Sequence, residues 1–175
     1  DLGMPFDPAE AAAALAAGSI TSIDVADVNG RLFLCNSVLG APLRFSAERK
    51  RLRGKPAWER TKGYASAIAG ILTTRHRIAF RIDDGKTVRK MRALSLVVSS
   101  NGYAEEVSLM LRRARLDGGE LSVYASRHAS GWGMAKAVAR AMLGRIDGDE
   151  DVVNFSAPSL TVGLAKSRVR VSNDG

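Results

Sequence analysis

The sequence predicts a mainly β chain with a few helices, of the α+β class: an antiparallel β-sandwich flanked by two or three short helices. Three observations carry this expectation. Short alternating apolar runs recur along the 175 residues and are punctuated by turn signals, notably Asn29-Gly30 and Asp83-Asp84-Gly85. Only a few stretches have helical spacing. Regular strand–helix–strand alternation, which a parallel sheet would need, is missing. With 46% apolar residues the chain is long enough to bury one core, so residues 1–175 read as a single domain.

Taken in order, the elements have local physical reasons. In "DPAEAAAALAAG", Asp7 is an N-cap, Pro8 sits at N1, Glu10 at N3 can reach back, and Gly18 stops the helix. "SITSIDVADVNGRLFLCNSV" alternates only approximately but places Asn29-Gly30 between two strand-like runs, which predicts a hairpin. Tyr64, Ile68, Ile71 and Leu72 lie at helical spacing despite Gly63 and Gly70, predicting a helix packed on a sheet. A second hairpin follows, with Ile78, Phe80 and Ile82 on one face and the apolar run Leu94 to Val98 after it. Leu121 and Val123 then face one way, Ser122 and Tyr124 the other. Met134, Val138, Ala141 and Met142 make one face of an amphipathic helix, and the tail returns to short strands broken by Pro158 and Gly163.

Composition limits the function classes. No run approaches the roughly 20 apolar residues needed to span a bilayer, and the first residues lack the pattern of a signal peptide. The chain therefore reads as cytoplasmic, with peripheral contact at a membrane as an extension. The single cysteine, Cys35, reads as a small buried hydrophobe, in keeping with a reducing compartment. An Asp at the first position and an abrupt "SNDG" end read as a piece of a longer protein.

The 26 basic and 18 acidic residues give a net charge of +8, which favours anionic partners. Much of the excess lies between Arg44 and Lys62, including Arg49, Lys50, Arg51 and Arg53. Near an anionic membrane each such charge contributes about 1 kcal/mol, and the same cluster could neutralise nucleic-acid phosphates or be a solvated face. Nucleic acid is the less expected partner, since aromatics make up only 6% of the chain and a stacking surface needs them.

Several groups could carry chemistry. His76 and His128 fall in no metal-ligand pattern and read as structural or surface residues. Gly131-x-Gly133 precedes a helix but lacks the third glycine and the strand context of a dinucleotide fingerprint. Asp147 to Asp151 is too short for a calcium loop and reads as a solvated turn. In "ARLDGGELSVY", Asp117 and Glu120 flank a doubly glycine turn at the mouth of a strand, which fits either a hairpin or the edge of a phosphate or metal site.

A set of spaced motifs resembles the diacylglycerol kinase and sphingosine kinase-like lipid kinases, in the part that follows their nucleotide-binding half. "DLGMPFDPAEAAAALAAGSITSIDVADVNGRLFLCNSVLG" is similar to the family's Leu-Gly-x-Pro start, short helix, Ile-Asp-x strand, Val-Asn-Gly, and Phe-Leu-x-Asn before a glycine. "SSNGYAEEVSLMLRRARLDGGELSVY" resembles its stretch from an Asn through a glycine-rich loop to Ala-x-Leu-Asp-Asp-Gly-x-Leu-Asp-Val. "VRVSNDG" resembles the strand leading into Asp-Gly-Glu.

The resemblance implies the C-terminal, lipid-binding half of a two-domain enzyme that moves the γ-phosphoryl of ATP to a lipid hydroxyl with magnesium. No Gly-Gly-Asp-Gly-Thr nucleotide loop occurs here, so this half alone is not expected to bind ATP productively. The aspartate of Asp-Gly-Glu, the family's general base, maps to Asp174. Two departures concern the site. The family's magnesium-binding carboxylate falls at Gly118 with Arg115 nearby, leaving Asp117 or Glu120 as substitutes; and Ala104-Glu105-Glu106-Val107 replaces the glycine-rich loop. These leave the acceptor lipid, metal binding and the activity of the parent open. The competing reading is a non-catalytic module that binds an anionic membrane or nucleic acid through the Arg44–Lys62 cluster. Composition leaves the oligomeric state undetermined.

Overall fold

The structure is a computed structural model and describes residue 5 and residues 7–104, 112–143, 145, 149–165 and 169–174. Glu105 to Val107, Asp147, Gly148 and Gly175 lie outside the described residues, so the loop departure at 104–107 is seen only at Ala104.

The chain folds as α1 (Pro8–Ala17), β1 (Ala26–Val28), β2 (Arg31–Phe33), β3 (Asn36–Gly40), α2 (Leu43–Arg51) and α3 (Ala57–Leu72). It continues as β4 (Ile78–Asp83), β5 (Val88–Ala93), β6 (Ser95–Ser100), β7 (Leu121–Ser126), α4 (Gly131–Met142), β8 (Val152–Ala157), β9 (Thr161–Leu164) and β10 (Ser172–Asn173). This is the α+β class that the sequence predicts: antiparallel sheets with a few helices. A five-stranded sheet has the order β10-β3-β6-β7-β8, a three-stranded one β5-β4-β9, and β1 and β2 form a separate hairpin.

Local chemistry explains the elements that were legible. The Asp7 carboxylate accepts from the N–H of Ala9 and Glu10 and so caps α1. Asn29 and Gly30 both take positive φ, 52° and 81°, which is what a two-residue turn between β1 and β2 requires. Phe80 and Ile82 point inward from β4, as their alternation predicts, and join Leu39, Leu96, Val123 and Ala125 in the core between the two larger sheets. The opposite face of the five-stranded sheet carries Val38, Val97, Tyr124 and Ser126, and α4 covers part of it: Ser95 Oγ lies 3.4 Å from Met134 Sδ.

Elsewhere the structure corrects the reading. The basic stretch, to which no element was assigned from the sequence, forms α2 and the start of α3, which pack on each other around the buried Leu52. Helix α3 contacts α2 and α4, and a groove separates its Ile68, Ile71 and Leu72 from the sheet residue Val38. In α4 the buried positions are Gly131, Met134 and Ala137, whereas Val138 is 43% exposed, so the inward stripe is rotated from the predicted one. Gly163 does not break the tail; it sits within β9 opposite Arg81. Cys35 is exposed, because it belongs to the short connection from β2 to β3 whose N–H groups turn outward to a carboxylate.

Candidate functional site

That carboxylate is Asp174. Strand β10 pairs antiparallel with β3 and delivers Asp174 directly over the β2–β3 connection, where its own N–H donates to Asn36 O at 2.9 Å. Its Oδ2 accepts from the Leu34 N–H at 2.8 Å, and its Oδ1 accepts from the Cys35 and Asn36 N–H groups at 2.8 and 3.0 Å. The residue takes φ of 54°, a left-handed conformation that is uncommon outside glycine, asparagine and aspartate. Burial alone would raise its pKa. The three N–H donors and the Arg113 guanidinium outweigh burial and hold the carboxyl below its ordinary range. Arg113 in turn donates to the carbonyl oxygens of Leu34 and Ser100, at 2.6 and 3.3 Å, which ties this connection to the end of β6.

The doubly glycine turn before β7 is organised by a residue that the sequence placed only in a strand. Asp24 Oδ2 accepts from the Gly119 N–H at 2.6 Å and from Asn101 Nδ2 at 2.9 Å. Asn101 Oδ1 accepts from the Gly118 N–H at 2.9 Å, and the Asp24 N–H donates to Leu116 O at 2.7 Å. The Gly119 N–H first, then Asn101, lower the Asp24 pKa, with Arg115 and Arg113 adding to the same direction.

Asp117 and Glu120 stand apart from this network. The Asp117 carboxylate pairs with Arg115 at 3.0 Å, both side chains about two-thirds exposed at 66% and 65%. Glu120 is exposed and enters the site only through its carbonyl, which accepts from the Asn101 N–H at 2.8 Å. A magnesium ion wants carboxylate and carbonyl oxygens converging on one point. Here Asp24 faces N–H donors, Asp117 faces a cation, and a Cβ at Gly118 would collide with Asn101 Oδ1, which leaves no room for a carboxylate there. The described residues of this turn do not fit a magnesium ion.

Next to Asp174 the helix-facing side of the sheet is hollow. A cavity of about 300 Å³ lies between β6, β7 and α4, lined among others by Val97, Tyr103, Tyr124 and Ala137. A second, of about 400 Å³, runs under α2 and α3 along Phe45, Ile68 and Leu72. Both are lined by Asn36, Val38, Pro42, Met134 and Val138, so they form one largely apolar groove. Asn36 links the groove to the carboxylate: its backbone N–H donates to Asp174, while its side-chain amide donates to the Tyr103 hydroxyl at 3.3 Å. Burial raises the Tyr103 pKa, so its ring and hydroxyl enter the groove uncharged. Another cavity, of about 760 Å³, opens between the two larger sheets beside Phe33, Leu121 and Val162.

The basic residues lie on another surface. Arg49, Lys50 and Arg51 are on the last turn of α2, where cations complement the helix dipole, and Arg53 follows. All four are exposed; Arg51 pairs with Glu48. Trp58, 61% exposed, shares this surface with Lys62, whose Nζ sits 5.0 Å from the ring centre. The glycines of Gly131-x-Gly133 have packing reasons: a Cβ at 131 would strike Ile71 O, and one at 133 would come within 2.6 Å of the His128 ring.

Sequence reasoning reached Asp174 through the resemblance but missed Asp24, Arg113 and Tyr103. No local pattern marks Asn101, although it is buried, has φ of 69° and anchors the turn.

No protein-family model matches the chain. Solved structures do. A diacylglycerol kinase from Bacillus anthracis str. Sterne superposes with a TM-score of 0.68 at 22% identity, over 99% of this chain and 55% of that one. Two candidate diacylglycerol kinases from the same strain give TM-scores of 0.72 and 0.69 at 19% and 18% identity, each over 99% of this chain and over 57% and 56% of theirs. The chain thus spans a little over half the length of the structures it matches. Across that span, it has the fold of these bacterial diacylglycerol kinases.

Proposed function

We propose that this chain is the lipid-facing part of an ATP-dependent lipid kinase, in which Asp174 receives the acceptor hydroxyl. The observation that carries the reading is the Asp174 carboxylate, ionised and cradled by three N–H groups, one of them from Asn36, which lines an apolar groove. A carboxylate has about four lone-pair sites, and three are used, so one on Oδ2 is left for a substrate O–H. The lowered pKa makes Asp174 a weak base. That suits phosphoryl transfer through a loose transition state, in which orienting the hydroxyl matters more than stripping its proton early. The groove would hold apolar chain, and Arg113 would offset negative charge near the transfer point.

ATP with magnesium would supply the phosphoryl group, bound by a separate nucleotide-binding portion of the parent protein. The exposed α2–α3 surface gives the membrane arm of the reading. Cations at Arg49, Lys50 and Arg53 would meet anionic headgroups, with Trp58 at the interface. A non-catalytic membrane-binding module uses that surface without Asp174.

The test is transfer of label from γ-labelled ATP into lipid by the full-length protein, on neutral and on anionic vesicles containing diacylglycerol or other long-chain alcohols. Label in the lipid fraction, greater on anionic vesicles, is expected. The Lys50→Glu/Arg53→Glu pair should reduce the anionic preference at least about tenfold. Binding without transfer to any lipid hydroxyl would favour the non-catalytic module.

A further inference from the structure

His128, on the connection from β7 to α4, carries a second polar constellation. Its side chain is only 8% exposed, with Nδ1 2.9 Å from Ser126 Oγ and Nε2 3.3 Å from Asp149 Oδ2. Asp149 is not part of a solvated turn as its sequence context suggests, since its side chain is 10% exposed. One ring nitrogen of His128 and one carboxylate oxygen each from Asp149 and Asp151 all lie within 4.8 Å of one another, and Nε2 is the nitrogen that faces Asp149.

The spacing is informative. At 3.3 Å the contact between Nε2 and Oδ2 is a hydrogen bond at the long end of the range, as long as those of Asn36 with Tyr103 and of Arg113 with Ser100. It matches the edge of a tetrahedron around a zinc ion, about 3.3–3.4 Å for ligand bonds of about 2.0–2.1 Å. Asp151 is exposed, so its carboxylate can rotate to shorten the remaining edges.

The surroundings hold these atoms as outer partners hold metal ligands. Ser126 fixes the other ring nitrogen of His128, and Gly133 leaves the space that the ring fills. Arg140 Nη1 donates to Asp149 Oδ2 at 2.9 Å, and the Asp151 N–H donates to Asp149 Oδ1 at 3.1 Å. The Arg127 N–H donates to Asp151 O at 2.7 Å, which anchors the segment before β8. We propose that His128 Nε2, Asp149 and Asp151 bind a divalent transition-metal ion of the zinc type, with water completing its coordination. One imidazole with two carboxylates suits such an ion better than magnesium or calcium, which prefer all-oxygen cages. The two carboxylates offset its charge, with Asp149 shared between the ion and the Arg140 guanidinium. Its effect is to clip the β7–α4 connection to the turn before β8, at the end of the groove that Ser126 and Asp149 line.

The test is titration of chelator-stripped full-length protein with zinc by calorimetry, and with cobalt(II) by visible absorption, in a Cys35→Ser background that removes the exposed thiol. One equivalent of zinc should bind, the cobalt spectrum should report tetrahedral coordination, and zinc should raise the unfolding midpoint. Asp151→Asn and His128→Gln should each weaken zinc binding at least about tenfold. Asp151→Asn should leave the metal-free unfolding midpoint unchanged, because this side chain is exposed. Absence of saturable zinc binding, equal affinity for magnesium, or zinc affinity unchanged in Asp151→Asn would overturn the assignment.

Discussion

Asp174, Asp24 and Asp84 each accept from at least one backbone N–H, and that shared chemistry lowers the pKa of all three. Asp84 is the most perturbed: the Arg89 guanidinium first, then the N–H groups of Thr87 and Lys86, lower its pKa from 3.8 to about 2. A carboxylate whose pKa is depressed on folding contributes stability that is complete above its unfolded value and is lost as pH falls through the folded one. The β4–β5 turn is therefore expected to weaken between about pH 4 and pH 2. An NMR titration of the Asp84 carboxyl carbon should show its midpoint near 2, and a midpoint near 4 would contradict this. The Asp84 turn was legible in the sequence because its partners are two to five residues away. The Asp24 network was not, because its hydrogen bonds join residues 77 and 95 positions apart. Asp174, whose partners lie 138 to 140 positions back, was reached by resemblance to a family and not by local pattern.

At the scale of elements, the same contrast separates what was readable. Helix α1 carries its cap and the β1–β2 hairpin its turn residues, so both follow from a few neighbouring side chains. Helix α2 has no buried residue of its own and a mean composition dominated by charge, so no apolar stripe announces it. Its C-terminal neighbour Leu52, 4% exposed, packs against α3 over Gly63 and is the buried anchor of the pair, beside Phe45 stacked on Tyr64 and Arg44 donating to Gly70 O at 3.2 Å. Leu52→Ala should destabilise the α2–α3 pair by about 2–5 kcal/mol, the range for truncating a buried leucine, measured as a shift in urea midpoint at constant slope. A loss below about 0.5 kcal/mol would mean that α2 is held by something else. The inward stripe of α4 was misplaced for a related reason: the glycines at 131 and 133, which the sequence sets ahead of the helix, belong to its first turn, where Ile71 and His128 come too close for a side chain.

At the scale of the molecule, the sandwich is a platform with two different sides. Its interior buries Ile82, Leu96, Val123 and Ala125 completely but opens beside Phe33, Leu121 and Val162, while the side under the helices keeps a groove lined by apolar residues and a few polar ones. The tail returns through β10 to the β2–β3 connection at the mouth of that groove, which brings the last described residue, Asp174, onto residues 34–36. The fold class was legible because short strands and turn signals recur along the whole chain. The groove was not, since it depends on how far α3 stands from Val38. A hydroxyl-orienting role for Asp174 is the central claim, and it is tested most directly by comparing kcat of Asp174→Asn with that of the wild-type full-length protein in the lipid phosphorylation assay. The amide keeps the size of the side chain and removes its charge. A fall in kcat of about 10²–10⁴-fold with KM for ATP unchanged is expected for a positioned acid–base group. An unchanged kcat would remove Asp174 from the reaction.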